Sequence, residues 1–274
     1  MTPEPYSWTF EPLFLALAVV AAVLYWRAAR RERPPWWRVA SFGLGLALVA
    51  GALNSPLETI AAHYLLIVHL LQNVMIADWA PPLLVLGLTP RMRESVALAG
   101  GRLFAVLTRP RIALPVWLAG WYLIHLAAFY DAALRNPWLL NVEHFLLVAI
   151  GLLFWWPVIS DAPHAVSAVV RLGYLGAAFV FSSFLGLALT FANATFYGYY
   201  EQAPRLWGLS PLEDQNLGGV LMTGEQAIIF LVAITAMVLR LLKEEEAKER
   251  ALDEQLRREG LRAPPGGVKP RSPR

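Results

Sequence analysis

The sequence contains no cysteine. That excludes a disulfide framework, a thiolate metal site and a cysteine nucleophile, and leaves any metal to His, Met, carboxylate or amide groups. Lysine is scarce, at Lys243, Lys248 and Lys269 only. All three lie in or beside the C-terminal tail, so no intramembrane amine is present to carry a retinal Schiff base. The formal net charge of +3 is small, its basic residues sit in loops beside apolar runs, and no RNA- or DNA-binding motif occurs, so no nucleic-acid partner is expected. Gly-x-Ser-x-Gly, His-Glu-x-x-His and phosphate-loop patterns are absent, and the chain is not expected to be an enzyme. The lack of an internal repeat argues against a transporter built from inverted halves. In "MTPEPYSWTFEP" no Lys or Arg precedes the first apolar run, so the charged start of a signal peptide is missing and the first span is expected to be kept.

What the chain has in abundance is apolar surface. Of 274 residues, 57% are hydrophobic, and the mean hydropathy is positive, which indicates a polytopic membrane protein. A hydrocarbon core of about 30 Å needs roughly 20 apolar residues of helix. Such runs fall at about 10–26, 39–53, 60–88, 112–130, 138–159, 172–192 and 217–242, predicting an all-α bundle of seven transmembrane helices over 1–242. Pro81 and Pro82 in the long third run remove two backbone donors and predict a kink or a break. The loops "RAARRERPPWWR" and "TPRMRESVALAGGRLFAVLTRPR" carry five arginines each, while the alternate loops hold at most one apiece. The positive-inside rule then puts the N-terminus outside and the C-terminus in the cytoplasm. Residues 243–274 read as a charged cytoplasmic tail, helical through "KEEEAKERALDEQLRREG" and disordered over "APPGGVKPRSPR".

Within this topology four of the five histidines approach the outer face. His63 and His69 fall roughly 8 Å and 16 Å along the third span, His125 lies near the outer end of the fourth, and His144 lies near the outer start of the fifth. Histidines from three helices at matched depth point to metal or cofactor binding, because polar groups in lipid are costly unless used or paired. Helical phase groups His69, Gln72 and Asn73 on one face, with His63 and Asp78 on another. Ser183, Gly186, Thr190 and Asn193 form a polar stripe on the sixth span, and Asp214, Gly218, Met222 and Glu225 form one on the seventh. These stripes line a polar interior or serve as interhelical hydrogen-bond glue. Imidazole suits copper, zinc, iron and haem, and sulfur from Met75 or Met222 would favour Cu(I). Asp78 reads as a paired or snorkelling residue, Glu225 as one with a hydrogen-bond partner, and His164 as a solvated loop residue.

Three stretches carry a resemblance. The run "HLLQNVMIADWAPPLLVLGL" resembles the signature of the multi-span CtaG-type cytochrome c oxidase assembly proteins, in which a His-x-x-Gln-His element precedes an Ala-Pro-Pro run. "HLAAFYDAALRNPWLLNVEHFLLVAIGLLFWWPVI" is similar to the family's His…Tyr…Glu-His…Phe-Trp-Trp-Pro region, and "EDQNLGGVLM" to its Asp-Gln-x-x-Gly-Gly element. The resemblance implies an assembly factor for a haem–copper oxidase in a bacterial cell membrane, handling copper destined for the catalytic subunit. Its partners would be that subunit and an extracytoplasmic copper chaperone. It would make His69, His125 and His144 metal-handling residues, with His63 and Met222 as further candidates and Gln72, Asn73, Glu143, Asp214 and Gln215 in support. Asn73 stands where the family has a second histidine, and Asn141 where another is expected before Glu143-His144; an amide oxygen is a poorer copper ligand than imidazole. The residues leave two alternatives open: a membrane haem protein, since two facing histidines can ligate one haem, and a metal-independent chaperone of an oxidase subunit.

Overall fold

The computed structural model describes residues 2–258, and every regular element among them is helical. α1 (Pro12–Glu32) and α2 (Trp36–Leu53) pack as an antiparallel pair, followed by the short α3 (Pro56–His63). α4 (Leu66–Val74), a π-helical turn (Met75–Trp79) and α5 (Ala80–Gly87) run on as one span. Then come α6 (Pro90–Leu107), α7 (Pro110–Ile124), α8 (Ala127–Arg135), α9 (Pro137–Ile159), α10 (Ala168–Thr190), α11 (Gly198–Gln202) and α12 (Pro211–Arg258). Among the described residues six helices are long and apolar enough to cross a membrane, and a seventh crossing is made if α6 and α7, bent by 76° at their junction, count as one span. Leu17, Val20 and Leu24 on α1 and Ile228, Leu231 and Val232 on α12 are exposed, as the lipid-facing side of a span must be. The expected all-α multi-span bundle is therefore the fold, with six to seven candidate crossings among the described residues.

The central span Leu66–Gly87 is surrounded by α2, α9 and α12. Its expected kink or break at Pro81-Pro82 takes a different form. The helix continues through both prolines, and the irregularity lies just ahead, where the Ala80 amide reaches five residues back to the Met75 carbonyl. Pro81 has no amide to offer the Ala77 carbonyl. That carbonyl instead faces Gly151 of α9, where an added Cβ would come within 2.3 Å of it. The π turn also rotates the side chains it carries, so that Trp79 points at α12 and bonds Glu225.

Two predicted boundaries are corrected. The third run, expected from about 60 to 88, is two helices, broken at Tyr64 and Leu65. His63 ends α3 and is not in phase register with His69. The fourth run, expected over 112–130, stops at Ile124. His125 follows the helix end, and its ring Nδ1 lies 2.7 Å from the Trp121 carbonyl that the His125 amide also approaches. Residues from Ala127 onward form α8, a separate short helix. At the other end, α12 is 48 residues long, about 72 Å at 1.5 Å per residue, so its C-terminal half runs far beyond a bilayer. It is laced there by Arg240–Glu244, Lys248–Glu245 and Arg250–Glu246 ion pairs, as the charged tail predicted; the "APPGGVKPRSPR" stretch lies outside the described residues.

The contact at Gly151 gives a direct check. Gly151→Ala places a methyl against backbone, which cannot move aside cheaply, and is expected to cost about 1–3 kcal/mol. Thermal unfolding of the purified protein in detergent should show a fall of several degrees, whereas Gly176→Ala, where a Cβ meets nothing within 4 Å, should be near neutral.

Candidate functional site

The helices α3, α8 and α11, the segment before α1, and the beginnings or ends of α4, α7, α9 and α12 meet at one end of the bundle. The N-terminal segment is pinned there by the Tyr64 hydroxyl on the Pro3 carbonyl, by Thr9 and Ser7 on Thr59, and by the Asn54 amide oxygen, which accepts from the Glu11 amide at 2.7 Å. His69 is the fourth residue of α4 and is 1% exposed. Its ring centre stands 6.0 Å from that of His144 on α9 and 4.8 Å from that of Tyr130 on α8. Tyr130 separates this pair from His125, whose ring is 5.9 Å from the tyrosine. Phe14 of α1 closes the other flank, 6.1 Å from His144.

The hydrogen bonds fix which ring nitrogens are free. The single Tyr200 hydroxyl proton goes to the Ala61 carbonyl at 2.5 Å, so at the 2.9 Å contact His69 Nδ1 must be the donor. His125 Nδ1 faces a carbonyl and must donate likewise. In both rings Nε2 is then the bare, lone-pair nitrogen. His69 Nε2, His125 Nε2 and His144 Nε2 are all buried without a hydrogen-bond partner. Glu143 Oε1 lies 3.7 Å from His69 Nε2 and accepts from the Asn73 amide at 3.3 Å, while Glu143 Oε2 has no partner. Buried polar atoms without partners are costly, and four of them gather here, the three Nε2 atoms and Glu143 Oε2.

The sealed cluster is not a closed metal cage. Among the described residues no three His, Asp or Glu side chains converge closely enough to hold an ion. The pair His69 and His144 comes nearest to doing so. With metal–nitrogen bonds of about 2.0 Å, two imidazoles on one ion bring their ring centres to roughly 5–6 Å, from tetrahedral to near-linear N–metal–N angles, and the observed 6.0 Å is at the upper end. Both Nε2 atoms would need to turn toward each other, since that of His69 now faces Glu143.

The break before α4 is held by Asp214. Its two oxygens accept from the amides of Leu66 and Ile67 at 3.0 and 2.9 Å and from Arg205 at 3.0 Å, satisfying two of the orphan donors that open every helix. Gln215 beside it accepts from the Phe196 amide at 2.6 Å and donates to the Ala194 carbonyl at 3.2 Å. It thus ties the α10–α12 connection, which carries Tyr197 and Tyr200, onto the bundle. Gln72 faces away from the histidines, donating to the Ala52 carbonyl at 2.9 Å and to Glu58. Glu58, in α3 outside the spans, has its carboxyl pushed up to about 8 by burial, against the opposing Gln72 bond.

Comparison with known proteins gives the chain its relatives. Residues 19–244 match the family described as cytochrome c oxidase caa3 assembly factor. The chain belongs to this family. It is also 26% identical, over 258 residues, to an uncharacterized protein of Mycobacterium bovis and to one of Mycobacterium tuberculosis, covering 84% of this chain and 39% of each relative. The chain therefore spans about two-fifths of the length of the curated relatives it matches. No solved structure matches it.

Within this assembly-factor chain the residues singled out from the sequence divide into two groups. His69, His144, Glu143 and Asn73 come together, with His125 one tyrosine ring away. His63 does not join them: it is half-buried at the end of α3 and lines a surface pocket with Arg135 and Gln202. Met222 packs in the apolar core, and Gln72, Asp214 and Gln215 hold the framework. The sequence reading missed Tyr130, Tyr200, Phe14 and Glu58. Tyr200 lies in a short helix whose sequence has no membrane-span signal, and Tyr130 fell at the last position of the expected fourth span, inside the stretch that carried the family resemblance.

Asp214→Ala tests the framework role. Two amides at the head of the central span lose their acceptor, and stability should fall by about 1–3 kcal/mol, read as a lowered melting temperature in detergent. His63→Ala should leave it within about 0.5 kcal/mol, as expected for a site without such a feature.

Proposed function

We propose that this chain assists assembly of a haem–copper oxidase in the bacterial cell membrane by taking a copper ion on His69 and His144, with His125 as a third donor, and passing it to the catalytic subunit. The observation that carries the reading is the set of three buried imidazole Nε2 atoms without partners at one end of the bundle, in a chain of the assembly-factor family. Copper is cargo here and not a resident cofactor, and a two-histidine hold suits that role. Few strong ligands release an ion more readily than a complete cage, and the amides of Asn73 and Asn141 add little affinity for copper. Glu143 beside His69 supplies negative charge or a proton acceptor as the cation enters. The catalytic subunit is the proposed recipient and an extracytoplasmic copper chaperone the proposed source.

The arginine-rich loops favour the N-terminus outside, which opens the histidine end to the extracytoplasmic side, where copper would arrive. Because the chain has no native cysteine, single substitutions map this cleanly. Ser7→Cys should react with an impermeant maleimide from outside intact cells, and Ser95→Cys only after lysis; the reverse pattern would invert the orientation.

A metal-independent chaperone is the second reading, favoured by the absence of three converging donors among the described residues. Copper(I) titration separates the two. The purified protein should bind about one ion, and the His69→Ala/His144→Ala variant, assayed below its own melting temperature, should lose at least about tenfold in affinity, equivalent to about 1.4 kcal/mol. The same variant in cells should lower the copper content and activity of the oxidase. Equal binding by both proteins, with oxidase assembly intact in the variant, would leave the chaperone reading. A haem absorption band in the purified protein would replace both.

A further inference from the structure

A second group of polar side chains lies deeper in the bundle and takes no part in the site above. Asp78 falls nine residues after His69, roughly 13 Å along the span at 1.5 Å per residue. It is 1% exposed, and its carboxyl oxygens make no hydrogen bond of good geometry, the Gln226 amide approaching them short of full hydrogen-bond geometry. It is thus neither snorkelling nor paired by a cation. Across from it on α12 stands Glu225, which accepts from the indole Nε1 of Trp79 at 2.7 Å and whose second oxygen is buried without a partner. Trp79 directly follows Asp78 in the π turn, so its bond to Glu225 brings the two carboxyls to facing positions on adjacent helices, both buried, with the buried Gln226 next to Glu225 in the chain.

The surrounding spans bring no compensating cation. α2 carries no ionisable side chain after Arg38, α7 no charge after Arg111, and α9 none after His144. Arg171 of α10 is committed to the Ser160 carbonyl and to Asp161. Two carboxylates side by side in a low-dielectric interior cannot both stay charged; one proton between them removes the repulsion and satisfies one orphaned oxygen with a donor. We propose that Asp78 and Glu225 share one exchangeable proton and, with Trp79 and Gln226, form a proton-binding site inside the membrane. The π turn is what makes the pair, since it turns Asp78 and Trp79 together toward α12. Trp79 also lines an apolar cavity of about 320 Å³ with Pro82, Trp155 and Ile229, so the indole that bonds Glu225 borders a recess on the bundle surface. This proton site stands independently of the copper reading.

Two measurements test it. In infrared pH-difference spectra of the purified protein, a protonated-carboxyl band should vanish on alkalinisation, shift in Asp78→Asn and in Glu225→Gln, and be lost in the double variant. A hydrophobic carbodiimide, which reacts with protonated carboxyls in apolar surroundings and can reach the recess beside Trp79, should label Asp78 or Glu225 in the unsubstituted protein at acidic pH, with labelling falling at alkaline pH. That arm needs no variant to fold. Absence of label on both residues in the folded protein, or a set of carboxyl bands that neither substitution moves, overturns the proposal.

Discussion

The amides of Leu66 and Ile67 open the central span at a chain break, where water is scarce and no backbone carbonyl is available to them. Asp214, arriving from α12 far along the chain, is the acceptor that makes this break tolerable. In an apolar surrounding each unsatisfied backbone donor costs several kcal/mol, so the position of α4 along the bundle axis is set by where Asp214 can reach. His69 sits within the first turn after that anchor, and Gln215 next to Asp214 fixes the connection that delivers Tyr200 to His69 Nδ1. The framework residues thus decide which histidine nitrogen is left bare.

The same constraint explains the two polar levels of the bundle. At the N-terminal end, histidines, tyrosines and Glu143 satisfy one another only in part. Deeper, two carboxyls face each other beside a π-helical turn, at a span whose prolines have withdrawn backbone donors. Close packing between the levels is secured by small residues: Gly151 admits the freed Ala77 carbonyl, and Gly186 and Gly219 bring α10 and α12 so near that a Cβ on Gly219 would fall 2.6 Å from the Gly186 carbonyl. Residues that read in the sequence as a polar stripe on α10 serve mainly this role. Ser183 and Thr190 return their hydroxyls to carbonyls one turn back on their own helix.

Legibility differed between fold and site for identifiable reasons. The multi-span all-α character follows from runs of apolar residues, a local property set by bilayer thickness, and the structure shows six to seven candidate spans among the described residues. Breaks at Tyr64–Leu65 and at His125 left no comparable mark. Neither contains Gly or Pro, and each is stabilised by a partner the local sequence does not show: Asp214 in one case, a histidine ring folded onto its own helix in the other. The grouping of His63 with the third span failed for this reason, because phase arguments assume an unbroken helix. The grouping of His69 with Asn73 survived, since both lie on α4, while Gln72, assigned to the same face, turns to α2 and α3 instead.

By itself the sequence determined that this is a multi-pass membrane protein without thiol chemistry, roughly how many apolar spans it has, and that His69 and His144 lie within them. These are consequences of composition and periodicity, which act residue by residue. Only the tertiary structure decided which imidazole nitrogens are free, that Tyr130 stands between His125 and the His69–His144 pair, and that Trp79, next to Asp78, bonds Glu225. Those outcomes depend on contacts between residues as far apart as Leu66 and Asp214 or Trp79 and Glu225, and on a helix that changes its pitch at Met75 to accommodate the prolines beyond it.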